Sequence, residues 1–239
     1  MVHHIRKLFV LIVALTVATP VAAGERVTVV ELFTSQGCSA CPPADALLRD
    51  LVQYPDLLPL SEHVDYWDYL GWRDPFAHPD LTRRQRQYAQ QLGLSYVYTP
   101  QFVIQGTVQT AGRDRDSILR QINEMQALSA PAVVDVLRAE DGQLAVRLEQ
   151  MALPSAADIW LVHYLPARTT AVAHGENSGR SIENINVVRH LTLLDRWSGE
   201  PKTVPLSREL PTDGHFAVLV QQSNSGPIIG AARLPAPAR

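Results

Sequence analysis

The sequence predicts an α/β domain followed by a mostly antiparallel, β-sandwich-like domain, and a change of pattern near residue 130 separates the two. Before that point, apolar strand-like segments alternate with amphipathic helical segments, as in a small central sheet flanked by helices. After it, short apolar segments follow one another between turn residues without a long helical period, as in a β-sandwich. The predicted domains are therefore residues 24–130 and residues 131–239.

The first domain is expected to run strand, helix, strand, helix, strand, strand, helix. Its helical first turn at Pro42 and Pro43 is favourable, because the missing N–H of proline would be unpaired there in any case. The second domain is expected to contain a hairpin and three further strands. The predicted segments are residues 26–35, 42–54, 56–67, 78–94, 98–113 and 114–128 in the first domain, and 132–150, 158–166, 186–197 and 215–222 in the second.

Residues 1–23 have the three-part pattern of a secretory signal peptide. Arg6 and Lys7 give a positively charged start, residues 8–18 form an apolar run, and a plausible cleavage point precedes Gly24. A membrane anchor is the alternative, but the apolar run is too short to span a bilayer comfortably. We therefore expect a periplasmic or secreted protein that has no membrane attachment after cleavage of this segment.

The composition limits the partners and the use of cysteine. A net charge of −3 gives the chain no general attraction for nucleic acid or anionic lipid. A chain of 239 residues buries a substantial core without the help of disulfides. Its only two cysteines, Cys38 and Cys41, are therefore expected to act chemically if the protein is exported.

The cysteines lie in the segment ELFTSQGCSACPPAD, residues 31–45, where a predicted strand meets a predicted helix. A thiol at a helix N-terminus is close to the positive end of the helix dipole and to free backbone N–H groups, which both favour the thiolate. Cys38 is expected to be the attacking thiol. Cys41 is expected to resolve the mixed disulfide, because the two-residue spacer brings it within reach.

A second feature is Thr99-Pro100, which opens the apolar strand at residues 101–106. Together with the upstream cysteine pair, it resembles the thioredoxin superfamily. In that superfamily the proline is cis and the residue before it contacts the substrate backbone, so the resemblance implies these roles for Pro100 and Thr99. The alternative is a proline that only starts an edge strand.

A closer resemblance is to DUF1223, a family of secreted thioredoxin-like proteins. It is carried by four segments in one order, namely ELFTSQGCSACPPAD, HVDYWDYLGWRDPF, YTPQFVIQG and GENSGR. The resemblance implies a thioredoxin-like fold and secretion, and it implies little about activity because the family is defined without one. The chain departs from ordinary thioredoxins in the longer interval between Cys41 and Pro100.

Glu31 is a candidate for proton transfer. Thioredoxin-like proteins often keep a buried carboxylate beneath the cysteine pair, where it takes a proton from the resolving cysteine, and Glu31 precedes Cys38 by seven residues. A buried carboxylate has a raised pKa that suits this role near neutral pH. Alternatively, Glu31 lies at a strand edge and faces solvent or an arginine.

The long interval before Thr99 contains a group of aromatic residues. Tyr66, Trp67 and Trp72 either form a substrate platform beside the cysteines or pack as a plug against the second domain. His63 and Asp65, in the same segment, are candidates to line the site. His78 is expected to start a helix.

The polar segment at residues 173–184 is expected to be an ordinary strand connection in the second domain. If the two domains pack face to face, Glu176 and Arg180 would instead reach the cysteine site.

These observations favour an exported thiol–disulfide oxidoreductase that acts on the thiols or disulfides of other exported proteins. One alternative is a copper-binding protein or metallochaperone, since two thiolates and a histidine such as His63 suit Cu(I). Another is a non-catalytic binding module with an inert disulfide. An exposed Cys38 favours catalysis, and a buried one favours the inert disulfide. No cofactor is expected, because the sequence has no nucleotide fingerprint, P-loop or nucleophile-elbow motif.

Overall fold

A computed structural model describes residues 19–22, 27–128, 132–207 and 209–235 of the chain. Most of the predicted signal peptide, residues 1–18 and 23, lies outside the described residues. Residues 19–22 form a short strand, β1.

The described part of the chain contains three α-helices and twelve strands. One 3₁₀ turn, at Asp68–Leu70, is found among the same described residues. The helices are α1 (Pro42–Leu51), α2 (Pro79–Gln91) and α3 (Arg115–Leu128). The strands are β1 (Thr19–Ala22), β2 (Thr28–Thr34), β3 (Leu57–His63), β4 (Gln101–Ile104), β5 (Val108–Ala111), β6 (Val134–Arg138), β7 (Leu144–Leu148), β8 (Ala157–Ala171), β9 (Ser181–Trp197), β10 (Lys202–Pro205), β11 (His215–Gln222) and β12 (Ile228–Arg233). The strand and helix order predicted for residues 26–128 is confirmed, with most elements shorter than predicted.

The larger sheet is mixed and has eight strands in the order β12-β11-β8-β9-β3-β2-β4-β5. Strands β2 and β3 are parallel, because α1 carries the chain back between them, whereas β4 and β5 form an antiparallel hairpin. Strand β9 pairs with β3 in parallel at Ser61 and Val187. Strands from both sides of residue 131 therefore share one sheet, and the predicted division into two domains stays a prediction.

The smaller sheet has the order β1-β6-β7-β10, and its described pairs are all antiparallel. It covers one face of the β8, β9, β11 and β12 part of the larger sheet. The core between the two sheets includes Val136, Val146, Ile159, Trp197 and Val218, all almost fully buried. The class of the fold is thus mixed α/β, with a sandwich-like arrangement in the second half of the chain.

The helices lie on opposite faces of the larger sheet. Helices α1 and α3 cover the face to which Val30 and Leu32 of β2 point, and they share one apolar cluster with these residues. Helix α2 covers the other face, where Phe33 packs with Tyr88. Because side chains alternate along a strand, this arrangement decides which polar groups of β2 lie near α1.

Candidate functional site

The cysteine pair lies in the loop that joins β2 to α1. Cys38 and Cys41 form a disulfide with their Cα atoms 5.5 Å apart. Cys41 is the N-cap residue of α1, and Pro42 and Pro43 occupy the first two helical positions. The N–H of Cys41 donates to the carbonyl oxygen of Cys38 at 3.2 Å, and that of Asp45 donates to the carbonyl oxygen of Cys41 at 3.0 Å. The prediction that the pair stands where a strand meets a helix is confirmed.

Both cysteines are buried, since Cys38 exposes 2% and Cys41 0% of its surface. By the criterion taken from the sequence, a buried Cys38 favours an inert disulfide. However, the residues that cover the pair do not belong to a helix. They belong to a polar loop in the second half of the chain.

This covering loop, residues 172–180, connects β8 to β9. Asn177 is fully buried, and its side-chain amide donates to the carbonyl oxygens of Gln36 and Cys38, each at 2.9 Å. The expectation of an ordinary strand connection is therefore wrong. The long β8–β9 hairpin extends past the sheet and brings its loop onto the cysteine loop.

Glu176 supplies a second contact between the two loops. Its carboxylate accepts a hydrogen bond from the N–H of Ser39 at 3.2 Å. Hydrogen bonds from the Ser39 side chain and backbone hold the pKa of Glu176 below its usual value. Arg180, the other residue considered from the sequence, is exposed and makes no side-chain hydrogen bond or ion pair with another described residue.

Thr99 and Pro100 lie beside the helix that follows the cysteines. The peptide bond between them is cis, as the resemblance implied. A Cβ atom placed on Gly112 would lie 2.8 Å from Cβ of Ala44 and 2.9 Å from Cβ of Pro100. The ring of Pro100 is therefore close to the first turn of α1, with only the hydrogen atoms of Gly112 between them.

The predicted aromatic residues are half-buried and hydrogen-bonded. The indole N–H of Trp67 donates to Oγ1 of Thr99 at 2.7 Å, and that of Trp72 donates to Oε1 of Gln36 at 3.2 Å. Tyr66 and Trp67 pack against the buried cluster beneath α2. These contacts support the packing alternative, and a role in binding substrate stays a prediction. Trp67 also links the cysteine loop to Thr99, since its Cβ would lie 3.2 Å from a Cβ on Gly37.

Asp45 is the acidic group that the sequence reasoning missed. It follows Cys41 by four residues in α1, so both side chains project from the same face of the helix, one turn apart. Its carboxylate accepts a hydrogen bond from Oγ1 of Thr34 at 2.9 Å. Burial raises the pKa of Asp45 to about 6, although nearby His63 and the bond from Thr34 act in the opposite direction. The signal was present as an acidic residue at position i+4 from a cysteine.

A buried histidine–carboxylate pair also lies beneath the cysteine loop. Nδ1 of His63 is 2.7 Å from Oδ2 of Asp74, and both side chains are completely buried. Asp74 also accepts the N–H of Gln36 at 2.8 Å. Burial acts against both charges, but each partner stabilises the other, so that the pKa of His63 is raised and that of Asp74 is lowered. Asp65 points to α2 instead, where it accepts a hydrogen bond from Thr82 at 2.6 Å.

Glu31 is buried, but it belongs to a different group of residues. Its carboxylate lies 2.7 Å from the guanidinium of Arg84 and accepts a hydrogen bond from the hydroxyl of Tyr88 at 2.6 Å. Arg84 also lies 3.3 Å from Glu62 and donates to Gln221 at 3.0 Å. Burial and the charge of Glu31 raise the pKa of Glu62 well above its usual value.

The predicted position of Glu31 beneath the cysteine pair is therefore wrong. Glu31 alternates with Val30 and Leu32, which point towards α1, and so it points towards α2 on the other face of the sheet. The alternative in which it faces an arginine is the one that the structure shows. The sequence did not reveal this because Arg84 lies 53 residues away in the chain.

A cavity of about 680 Å³ opens beside Thr99 and Pro100. Its walls are the loop after α2, with Tyr96 and Tyr98, and the end of β5, with Arg113. Tyr96 is 72% exposed. Among the lining residues Arg113 is the one that carries a charge, and the rest are apolar or neutral polar residues.

The described residues contain no group of three or more His, Cys, Asp or Glu side chains arranged to hold a metal ion. In the same part of the chain, none of the helices is both long and apolar enough to cross a membrane.

Comparison with known proteins assigns the family. The profile described as "Protein of unknown function (DUF1223)" matches residues 29–221. The chain belongs to this family. The crystal structure of protein AGR_C_4864 from Agrobacterium tumefaciens is similar to it, with 32% identity and a TM-score of 0.75 over 89% of this chain and 95% of that one.

A second solved structure is similar in fold alone. HBP35 of Porphyromonas gingivalis has 14% identity and a TM-score of 0.61, over 89% of this chain and 76% of that one. No curated protein matches the chain.

Proposed function

We propose that this DUF1223 protein is an exported thiol–disulfide oxidoreductase with a thioredoxin-like catalytic half. The element order from β2 to α3 supports this half, as does the strand order β3-β2-β4-β5 with α1 and α3 on one face and α2 on the other. The signal-peptide pattern of residues 1–23 supports export. Its partners would be exported proteins that carry thiols or disulfides.

The observation that carries the proposal is the disulfide in front of α1 with a buried carboxylate one helical turn beyond it. In the reduced protein, the thiolate of Cys38 attacks one sulfur of a substrate disulfide, and the other substrate sulfur leaves as a thiolate. Asp45 then accepts the proton of the Cys41 thiol. The Cys41 thiolate attacks the Cys38 sulfur and releases the second substrate thiolate, so two electrons pass from the pair to the substrate. A dithiol reductant returns the pair to its reduced form.

The same steps in reverse oxidise a substrate dithiol, and the reduction potential decides the direction. Asp45 suits either direction because a pKa of about 6 lets it gain and lose a proton near neutral pH. His63 and Asp74 hold the cysteine loop through Gln36, so they position the pair without touching substrate.

The cavity beside Thr99 offers room for the segment of substrate that flanks the reacting sulfur. It adjoins the strand opening at Pro100, close to α1, and it presents the side chains of Tyr96 and Tyr98. Aromatic residues with polar tips give adaptable contact area, which suits varied protein segments.

One observation favours a second function, a binding module with an inert disulfide. Cys38 exposes 2% of its surface, and an attacking sulfur needs access to its substrate. The two functions differ in whether the pair can be reduced and reoxidised under the conditions of its compartment.

The reduction potential of the pair tests the proposal. The purified protein would be equilibrated in glutathione buffers of graded ratio, quenched with acid and alkylated, and the reduced fraction read by mass spectrometry. We expect a potential between about −270 and −120 mV, the range from thioredoxin to strong periplasmic oxidants. A pair that stays oxidised below about −300 mV would identify an inert disulfide. The Cys41→Ser variant, which keeps one thiol, controls for glutathione adducts on Cys38.

A further inference from the structure

The start of α1 offers an attacking sulfur unusually few hydrogen-bond donors. Pro42 and Pro43 have no N–H, and the N–H of Cys41 is already bonded to the carbonyl oxygen of Cys38. The backbone donors that adjoin Cys38 on its helix side are therefore those of Ser39 and Ala40. Each donor matters, because stabilisation of a thiolate at a helix N-terminus comes from such groups together with the dipole.

One of these two donors is occupied by an acidic side chain. Glu176 accepts the N–H of Ser39 at 3.2 Å, and within the described residues the N–H of Ala40 has no partner. The carboxylate of Glu176 is an anion at neutral pH, because hydrogen bonds from Ser39 stabilise its charged form. A second anion one residue away, the thiolate of Cys38, would be repelled by it.

The neighbour of Glu176 fixes the loop in this position. The side-chain amide of Asn177 donates to Gln36 and Cys38, on the two sides of Gly37, and Asn177 is fully buried. Its Oδ1 atom is buried without a hydrogen-bond partner among the described residues. Gly175, at the tip of the covering loop, packs closely against Trp72. A Cβ atom added to Gly175 would lie 3.2 Å from Cβ of Trp72.

We propose that the covering loop, residues 172–180, restrains the cysteine pair: Glu176 opposes the thiolate of Cys38, and Asn177 holds the loop over the disulfide. This inference rests on the proposed oxidoreductase function. A partner protein must displace the loop before Cys38 reacts, and displacement removes both the cover and the opposing charge. Glu176 and Asn177 are thus positioning residues that make reactivity depend on docking of a partner.

Other charged groups face the cysteine loop and must stay constant in a test. Asp45 lies on α1, and the pair of His63 and Asp74 lies beneath Gln36. Glu183 on β9 offers a matched control, since it has the same charge and also contacts α1, through Arg49 at 3.1 Å in the last turn of the helix.

The first experiment measures the thiol of Cys38 in a Cys41→Ser background, where no disulfide forms. The alkylation rate by iodoacetamide would be followed against pH for the background alone, with Glu176→Gln and with Glu183→Gln. We expect Glu176→Gln to raise the rate at pH 7 about threefold and to move the pH profile to lower pH, because a neutral amide no longer repels the thiolate. Glu183→Gln should leave both unchanged. Equal profiles for the two variants would overturn the role of Glu176.

The second experiment measures access to the disulfide in the otherwise native chain. A dithiol such as dithiothreitol gives two electrons and two protons to the pair and becomes a cyclic disulfide. We expect Asn177→Ala to speed this reduction several-fold, while Ser178→Ala, which alters an exposed residue of the same loop, leaves the rate unchanged. Unfolding curves of each variant show whether the fold is kept. A rate for Asn177→Ala equal to that of Ser178→Ala would overturn the role of the loop as a cover.

The oxidoreductase function and the restraint by the covering loop predict separate results. If the glutathione titration places the pair below about −300 mV but Glu176→Gln still shifts the alkylation profile, the oxidoreductase function fails and the local effect of Glu176 stands. If the pair cycles normally and neither Glu176→Gln nor Asn177→Ala has an effect, the function stands and the restraint by the loop is wrong.

Discussion

Two groups of buried charges lie on opposite faces of the same sheet, and they differ in how far their charges are compensated. Beneath α2, Arg84 joins Glu31, Glu62 and Tyr88, and it bonds Gln221 on β11. Beneath α1, Asp45 has one hydroxyl donor, from Thr34. The first group pairs the guanidinium of Arg84 directly with the carboxylate of Glu31 at 2.7 Å, whereas in the second group Asp45 has a hydroxyl donor and burial raises its pKa to about 6.

This difference indicates a structural role for the group beneath α2 and a chemical role for the group beneath α1. A cation paired with the carboxylate of Glu31, with hydrogen bonds to both halves of the chain, fixes the packing of α2 against β2 and β11. A weakly compensated acid one helical turn from a cysteine can exchange a proton when the cysteine needs it. The α2 group should therefore govern stability, and the α1 group should govern the reactivity of Cys38 and Cys41.

The largest expected effect is the loss of stability in Arg84→Met. Removing the guanidinium leaves the carboxylate of Glu31 buried without its cation, which costs about 3–5 kcal/mol in the free energy of unfolding. Denaturation by urea measures it. Arg83→Met is the matched control, since Arg83 is an exposed neighbour that pairs with Asp80 on the surface, and we expect it to cost less than about 1 kcal/mol. Equal free energies of unfolding for the two variants would contradict the structural role of the α2 group. A changed reduction potential of the cysteine pair in folded Arg84→Met would contradict the separation of the two roles.

The next largest effect is expected for Asp45→Asn, and it has opposite signs for stability and for reaction rate. The folded protein raises the pKa of Asp45 from 3.8 to about 6, so its contribution to stability is present below pH 4 and is lost as the pH rises through about 6. The neutral amide avoids this loss. Above pH 6 we expect the variant to be more stable than the wild type by roughly 3 kcal/mol, with the difference vanishing towards pH 4.

The same variant should slow the step in which Cys41 resolves a mixed disulfide, because a side-chain amide in place of the carboxylate cannot accept a proton. Trapping the Cys38 mixed disulfide with a chromogenic disulfide substrate and following its decay would measure this step, which in the wild type should accelerate with pH through about 6. Asp50→Asn, an exposed acid on α1 that pairs with Arg115, should change neither stability nor decay beyond small effects. Faster or unchanged decay in Asp45→Asn would assign proton transfer to another group.

Much of the fold from β2 to α3 was predictable because its signals are local. Strand β2, the proline start of α1, the hairpin of β4 and β5 and the helix α3 all follow from runs of fewer than twenty residues. The cysteine pair and the cis bond at Pro100 followed from a short motif and from resemblance to known proteins. The assignment of Glu31 failed for the opposite reason, since its partner Arg84 is distant in sequence and the face to which Glu31 points depends on the packing of α2.

The position of the covering loop could not be predicted from the sequence for a similar reason. The pairing of β9 with β3 places the covering loop beside the cysteines. The sequence of residues 172–180 contains no signal that predicts this pairing. Pairing of distant strands is set by the apolar faces that the whole fold must bury, which the local pattern does not contain. Asp45 differs from both cases, because its spacing from Cys41 was visible and only its burial was not.

The smallest expected effect is that of Thr34→Val, which tests the role of Asp45 within the α1 group. Thr34→Val removes the hydroxyl that donates to Asp45 at 2.9 Å, and the hydrogen bond favours the ionised carboxylate. Its loss should raise the pKa of Asp45 further and cost about 1 kcal/mol of stability above pH 6, where the carboxylate is charged. The pH dependence of mixed-disulfide decay should move upward in step. Thr28→Val, a buried position on the same strand, is the control and should leave that dependence in place. If Thr34→Val moves the stability curve but not the decay curve, Asp45 is only a buried acid; if both move together, it is the proton acceptor that distinguishes this face of the sheet from the other.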